Sequence, residues 1–174
     1  MDAVVQDLSK KVVLITGAGR GLGKALALGF ASRGAAIACL ARSSNEIEAV
    51  AQEIEAGGGR AVAVTCDVTS LESLETAYKR VADELGGIDI VFVNAGVNNV
   101  RELIGEDDPE LWRNTIDINL TGAYYTMRAA IPYLKARGGG KIITIGSGRG
   151  HRGDTTGSSY ACSKAGLWML VRVL

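Results

Sequence analysis

Short apolar runs recur along the chain at a near-constant interval, separated by polar or glycine-rich segments. Val12–Ile15, Ile37–Leu40, Val62–Thr65 and Ile88–Val93 begin 25, 25 and 26 residues apart. Runs that are apolar at consecutive positions have no polar face, so they suit strands covered by helices on both sides, as in a parallel sheet. The segments between them change period. Leu22, Ala25, Leu26, Gly29 and Phe30, and then Ile47, Val50, Ala51 and Ile54, recur at three- and four-residue steps, which predicts amphipathic helices. Strand-helix alternation of this kind predicts an α/β fold with a doubly wound parallel sheet.

The rhythm lengthens in the second half. Asp108 followed by Pro109 reads as an N-cap with a first-turn proline, opening a helix expected to run to about Arg137. Gly138 to Gly140 stop it, as Gly57 to Gly59 stop an earlier helix. Lys141–Ile145 is a fifth strand, and a last helix is expected from about Ser158 to Leu174. No linker-like segment interrupts this order, so residues 1–174 are expected to form one domain.

Composition narrows the possibilities. With 174 residues, 47% of them hydrophobic, 22% charged and only 2 prolines, the chain is no disordered or low-complexity sequence. Glycine is in excess at 23 residues without a period, so it must serve turns and close approaches. Nineteen basic and nineteen acidic residues cancel, leaving no global field for nucleic acid or a membrane surface. Neither is expected as a partner. The start, MDAVVQDLSKK, lacks the charged-then-apolar pattern of a signal peptide, and no apolar stretch suits a membrane span. Cys39, Cys66 and Cys162 are odd in number and widely spaced, which fits neither a disulfide framework nor a zinc site. A cytoplasmic location without a bound metal is the expectation.

Candidate chemistry begins at Thr16–Gly23. Gly17, Gly19, Gly21 and Gly23, with Arg20 and Leu22 between them, follow the first strand and open the first helix. Such a turn brings backbone N–H groups and a helix N-terminus to a pyrophosphate, so a dinucleotide is the natural ligand. The acid that would bond a ribose 2′-hydroxyl after the second strand is missing; Leu40-Ala41-Arg42-Ser43 stands there. Arg42, helped by Arg20, suits a 2′-phosphate and favours NADP(H). NAD(H) is the alternative, because both arginines equally suit a solvated surface and an acid could come from elsewhere in the chain.

At this point the sequence resembles the short-chain dehydrogenase/reductase family, and within it the 3-oxoacyl-[acyl-carrier-protein] reductases. The motif T-G-x-x-x-G-x-G matches Thr16, Gly17, Gly21 and Gly23; Cys66-Asp67-Val68 matches the family's adenine-contacting segment; Asn94-Ala95-Gly96 matches its N-A-G motif, with Val93 a mild departure. The resemblance implies a Rossmann-type sheet of order 3-2-1-4-5 and a cofactor held also by Asp67, Val68, Asn94, Ala95 and Gly96. It implies a catalytic tetrad of Asn119, Ser147, Tyr160 and Lys164, the last two in Y-x-x-x-K and Tyr160 13 positions after Ser147. Homodimers or homotetramers through the long and final helices are implied too, with Tyr124, Tyr125, Met127, Ile131 and Leu134 as candidate contacts unless they face the sheet.

Tyr160 and Lys164 are four apart, so one helix face carries both. An ammonium beside a phenol favours the phenolate and makes tyrosine a usable acid/base at neutral pH. By the same resemblance Ser147 orients the substrate oxygen, Lys164 and Tyr160 also contact the nicotinamide ribose, and Asn119 anchors a water in a proton relay. His151 has no orienting acid beside it and reads as a mobile loop position; Cys162 reads as a packing residue. The implied activity is metal-independent hydride transfer between nicotinamide and a small-molecule carbonyl or secondary alcohol of unspecified identity, with the loop Val97–Glu106 and the Gly148–Gly157 stretch expected to line the near side of the pocket. The alternative is a nucleotide-binding or regulatory module without redox chemistry, because the family's C-terminal strands and substrate-covering loop lie beyond residue 174. We therefore expect a shortened or incompletely represented enzyme, with missing residues or a partner covering the fifth strand's open edge.

Overall fold

A computed structural model of the chain describes residues 7–98 and 102–174. Five strands, β1 (Val12–Thr16), β2 (Ala36–Ala41), β3 (Arg60–Thr65), β4 (Ile90–Val93) and β5 (Lys141–Thr144), form one parallel sheet in the order β3-β2-β1-β4-β5. This is the expected doubly wound, Rossmann-type order. Its central strand explains the unbroken apolar runs, since all five residues of β1 are buried. Leu14, with Ala38, Leu40, Val62, Val64 and Val91, faces a core completed by Leu74, Tyr78, Val81 and Met127. Val13 and Ile15, with Ile37 and Cys39, face the opposite core with Ile47, Val50, Ile54 and Phe92. Two-sided burial leaves no register slip that would keep both cores filled.

Helices α1 (Gly21–Ala31) and α2 (Ser44–Ala56) cover one face, and α3 (Leu71–Leu85) packs on the other. Local signals explain their limits. The Ser70 side chain accepts from the Ser73 N–H at the start of α3, and Gly86 closes it in the left-handed conformation at φ 87°. The next helix departs from expectation. In place of one helix over 109–137 there are α4 (Pro109–Ile116), a π-helical turn (Asp117–Thr121) and α5 (Gly122–Ala136). Within that turn the Gly122 N–H bonds the Asp117 carbonyl, so a single wide turn shifts the helical phase. Apolar spacing averaged over many residues does not register so local an insertion. The last helix, α6 (Ser158–Val173), ends one residue before the expected limit.

The candidate contacts on α5 divide. Met127 and Leu134 are buried in the sheet-facing core, whereas Tyr124 is exposed. Cys162 is also exposed rather than packed, because a position two residues from Tyr160 lies across the helix from it.

At the N-terminal ends of the strands, the buried Asp89 carboxylate joins three elements. It accepts from the Val12 N–H at 2.9 Å and from Arg137 Nε and Nη2 at 3.2 and 3.3 Å, and lies 3.5 Å from Lys11 Nζ. Burial raises its pKa, but the hydrogen bonds from Val12 and Arg137 and the Arg137 and Lys11 charges outweigh that and hold it below the ordinary carboxylate value. A carboxylate depressed in the folded state stabilises the fold above its unfolded pKa, near 3.9, and that contribution is lost as pH falls through the folded value. We predict that Asp89→Asn lowers stability by about 2 kcal/mol near neutral pH. Urea unfolding should show the deficit shrinking below about pH 4.

Candidate active site

The C-terminal ends of the strands converge where the strand order reverses around β1, the place where open α/β sheets form a crevice. A cinch sets the geometry there. The buried Thr16 hydroxyl donates to the Phe92 carbonyl at 3.2 Å and accepts from the Asn94 and Ala95 N–H groups at 3.1 and 3.2 Å. Asn94 Nδ2 donates in return to the Thr16 and Gly17 carbonyls at 2.8 and 3.2 Å. The glycine turn is fixed to β2 as well, through Gly17 N–H to Leu40 O at 2.7 Å. Gly23 is needed where α1 meets this turn: a Cβ on it would lie 2.1 Å from the Gly17 carbonyl oxygen and 2.7 Å from Asn94 Nδ2. No side chain caps the N-terminus of α1, so its first N–H groups are open to a ligand.

A cavity of about 300 Å³ lies over this turn. Gly17, Gly19, Arg20, Leu22, Gly23, Arg42, Asp67, Val68, Asn94, Ala95 and Gly96 all line it. Gly21 instead shapes the turn behind it, with φ +53°. Asp67 Oδ1 accepts from the Thr69 N–H and hydroxyl at 3.0 and 2.8 Å, which fixes its carboxylate at the cavity wall. Ser43, from the corner after β2, and Val97, at the start of the loop expected to line the pocket, also border the cavity, as do Glu46 and Ile118, which the sequence did not single out. Glu46 carried a signal, the S-x-x-E spacing from Ser43 that normally marks a helix cap. A larger hollow of about 850 Å³ lies between α1 and the start of β5, lined by Leu26, Phe30, Asp89 and Ile143. It carries none of the expected site residues.

Of the four expected catalytic residues, Tyr160 and Lys164 lie on α6, Asn119 is tied to it through Ser163, and Ser147 begins the loop that packs on it. Lys164 is buried, and its ammonium donates to the Ile145 carbonyl at 2.7 Å while lying 5.7 Å from the centre of the Tyr160 ring. Burial lowers the Lys164 pKa from the ordinary lysine value. Ser147 follows β5 in extended conformation, and its hydroxyl accepts from the Arg149 N–H at 3.3 Å. That loop lies tight on α6: a Cβ on Gly150 would be 2.8 Å from the Lys164 carbonyl carbon.

Asn119 sits in the π-helical turn, and its side chain is buried and spoken for. Oδ1 accepts from the Val97 N–H at 2.8 Å, and Nδ2 donates to the Val97 carbonyl at 2.8 Å and to Ser163 Oγ at 3.2 Å. Ser163 Oγ donates to the Tyr160 carbonyl at 2.8 Å. Ser163, missed in the sequence, thus links the Asn119 turn to the Tyr160 turn. Its only sequence signal is its place inside Y-x-x-x-K. His151 is not simply a loop residue; its ring meets Trp168 edge-on at 5.2 Å, and Arg172 covers Trp168 at 4.8 Å. Residues 99–101 of the loop expected to border the pocket lie outside the described residues.

Comparison with known proteins agrees with this geometry. The family model described as short chain dehydrogenase matches residues 11–174, so the chain belongs to that family. It is 34% identical to (-)-trans-carveol dehydrogenase of Rhodococcus erythropolis, over 94% of this chain and 64% of that protein. A crystal structure of a 3-ketoacyl-ACP reductase from Sinorhizobium meliloti superposes with a TM-score of 0.90 at 40% identity, covering 94% of this chain and 65% of that one. An alcohol dehydrogenase from the archaeon Thermococcus sibiricus, solved with 5-hydroxy-NADP, gives a TM-score of 0.89 at 34% identity, covering 94% and 69%. The chain therefore spans slightly less than two thirds of the length of curated relatives such as the carveol dehydrogenase.

The two kinds of glycine in the turn should respond differently to substitution. Gly23→Ala is expected to destabilise by about 3 kcal/mol, because backbone must move to admit the methyl group. Gly21→Ala has open space around it and should cost about 1 kcal/mol for its left-handed backbone alone. Chemical denaturation of the ligand-free protein checks both.

Proposed function

We propose that the chain is the nucleotide-binding and catalytic part of an NADP(H)-dependent oxidoreductase that interconverts a small-molecule carbonyl and a secondary alcohol. One observation carries the reading: Tyr160 and a buried Lys164 share one face of α6, with the ammonium 5.7 Å from the phenol ring and held by Ile145 O at 2.7 Å. The names of its relatives, a carveol dehydrogenase and a ketoacyl reductase among them, support the reaction class.

A dinucleotide fits the residues present. The cradle under the cavity exists only because Gly17 and Gly23 lack side chains, and the uncapped α1 N-terminus offers N–H groups to a pyrophosphate. Asp67 and Val68 would border the adenine, and Asn94, Ala95 and Gly96 the opposite wall. Arg20 and Arg42 favour a 2′-phosphate, which supports NADP(H) over NAD(H). Bound nicotinamide would supply or accept the hydride. Tyr160 would give its hydroxyl proton to the substrate oxygen during reduction and take the alcohol proton during oxidation. Ser147 would hold that oxygen by a hydrogen bond, and Lys164 would place positive charge beside the phenol while reaching the nicotinamide ribose. Asn119 is assigned a positioning role, holding the Val97 backbone beside the cavity and the Tyr160 turn through Ser163; a water relay would have to use other atoms of its turn.

Residues 1–174 are read as one nucleotide-binding domain. Exposed Leu111, Tyr124, Trp168, Met169 and Val171 on α4, α5 and α6 support self-association through these helices, as a dimer or tetramer. A cytoplasmic setting is proposed from the three widely spaced free cysteines; among the described residues no helix is long and apolar enough to cross a membrane.

Tyr160→Phe should reduce turnover about 10²- to 10⁴-fold while leaving nucleotide affinity within about twofold, since only a hydroxyl is removed. A cofactor-linked absorbance assay over cyclic alcohols, ketones and oxoacyl thioesters, paired with nucleotide titration, checks both parts. Full turnover in the variant would sink the chemistry. Intact turnover without any nucleotide would sink the cofactor.

A further inference from the structure

The acid absent from the end of β2 stands one helical turn later. Glu46 lines the nucleotide cavity beside Arg42 and Ser43, and its side chain lies directly over the glycine turn. A Cβ on Gly19 would be 2.7 Å from Glu46 Cβ and 2.9 Å from Oε2, so position 19 must be glycine to admit this carboxylate. The placement is not the one that Ser43-x-x-Glu46 favours locally. In a capping box Glu46 would fold back onto the Ser43 N–H and the Ser43 hydroxyl would accept from the first turn. Here Ser43 is the N-cap of α2 but makes no side-chain cap bond, and Glu46 leans across the cavity instead.

The charges around it are few. Lys24 is neutralised by Glu53 at 2.8 Å, whereas Arg20, Arg42 and Glu46 form no side-chain ion pair or hydrogen bond with any described residue. Arg20, Arg42 and Glu46 thus line the cavity unpaired, while the other carboxylate on its wall, Asp67, is held by Thr69. Glu46 works against the two arginines: a carboxylate accepts a hydrogen bond from a ribose hydroxyl but repels a phosphate ester carrying between one and two negative charges.

We infer that Glu46 is a specificity-determining residue that restrains the preference of Arg20 and Arg42 for a 2′-phosphorylated nucleotide and keeps the unphosphorylated one within reach. This rests on the nucleotide-binding reading above and assigns the balance between the two cofactor classes to one side chain. Its test needs no turnover. Dissociation constants of 5′-AMP and 2′,5′-ADP are measured by calorimetry at low salt for the parent protein and for Glu46→Gln, which keeps the shape packed on Gly19. The variant should bind 2′,5′-ADP about threefold to tenfold more tightly and 5′-AMP no more tightly than the parent does. Glu46→Lys, reversing the charge, should move the same ratio further in the same direction. If the parent binds both nucleotides and neither variant changes the ratio, the role of Glu46 is refuted while nucleotide binding stands. If the parent binds neither, the nucleotide-binding reading falls and this inference with it.

Discussion

The ends of β1 and β4 are sewn together by two polar side chains, and the rest of the site depends on that seam. Thr16 and Asn94 exchange hydrogen bonds with each other's backbone across neighbouring parallel strands. Strand ends in a parallel sheet leave peptide groups without ladder partners, and burying them unpaired would cost more than these bonds contribute in water. The seam satisfies them and fixes where the glycine turn begins. Because Asn94 Nδ2 also donates to the Gly17 carbonyl, the space left beside Gly23 has no room for a methyl group.

From the same strand end a second polar chain leads to the α6 turn. Val97, three residues after Asn94, is gripped at both its N–H and its carbonyl by Asn119, which reaches it from the π-helical turn and continues through Ser163 to the Tyr160 carbonyl. Every member of this chain has its partner, the condition under which a buried polar network rigidifies a core rather than weakening it. The wide turn is thereby explained. A helix with uninterrupted α-helical spacing would carry the residues beyond the turn on a different phase, and the bond pair from Asn119 to Val97 offsets the poorer π geometry.

Charge is arranged at two opposite ends of the sheet, although the chain as a whole is neutral. At the N-terminal ends, Asp89 is surrounded by the Val12 N–H, Arg137 and Lys11, and this cluster joins the start of β1, the approach to β4 and the end of α5. At the C-terminal ends, charged side chains remain unpaired around the cavity. The first arrangement is what stabilises a fold; the second is what recognises a ligand. Lys164 stands between these cases, buried yet held by one backbone carbonyl.

Most of the framework was legible in the chain because its signals are local. Apolar runs set five strands, glycines at 57–59 and 138–140 ended helices, and Asp108 with Pro109 opened one. The glycine turn and the Tyr160–Lys164 pair were legible because their chemistry depends on spacing within one element. Other features depend on partners far away in sequence. The π-helical turn answers to Val97, 22 residues from Asn119, and the exposure of Cys162 answers to which face of α6 meets the loop after β5. Glu46 carried a capping signal that the neighbouring glycine turn overrode. The sequence by itself therefore determined the strand order's ingredients and the identities of the candidate reacting groups, since propensity and spacing act over a few residues. Only the tertiary structure decided which polar side chains became ties and which were left facing the cavity, because that choice depends on burial and on distances between segments brought together by folding.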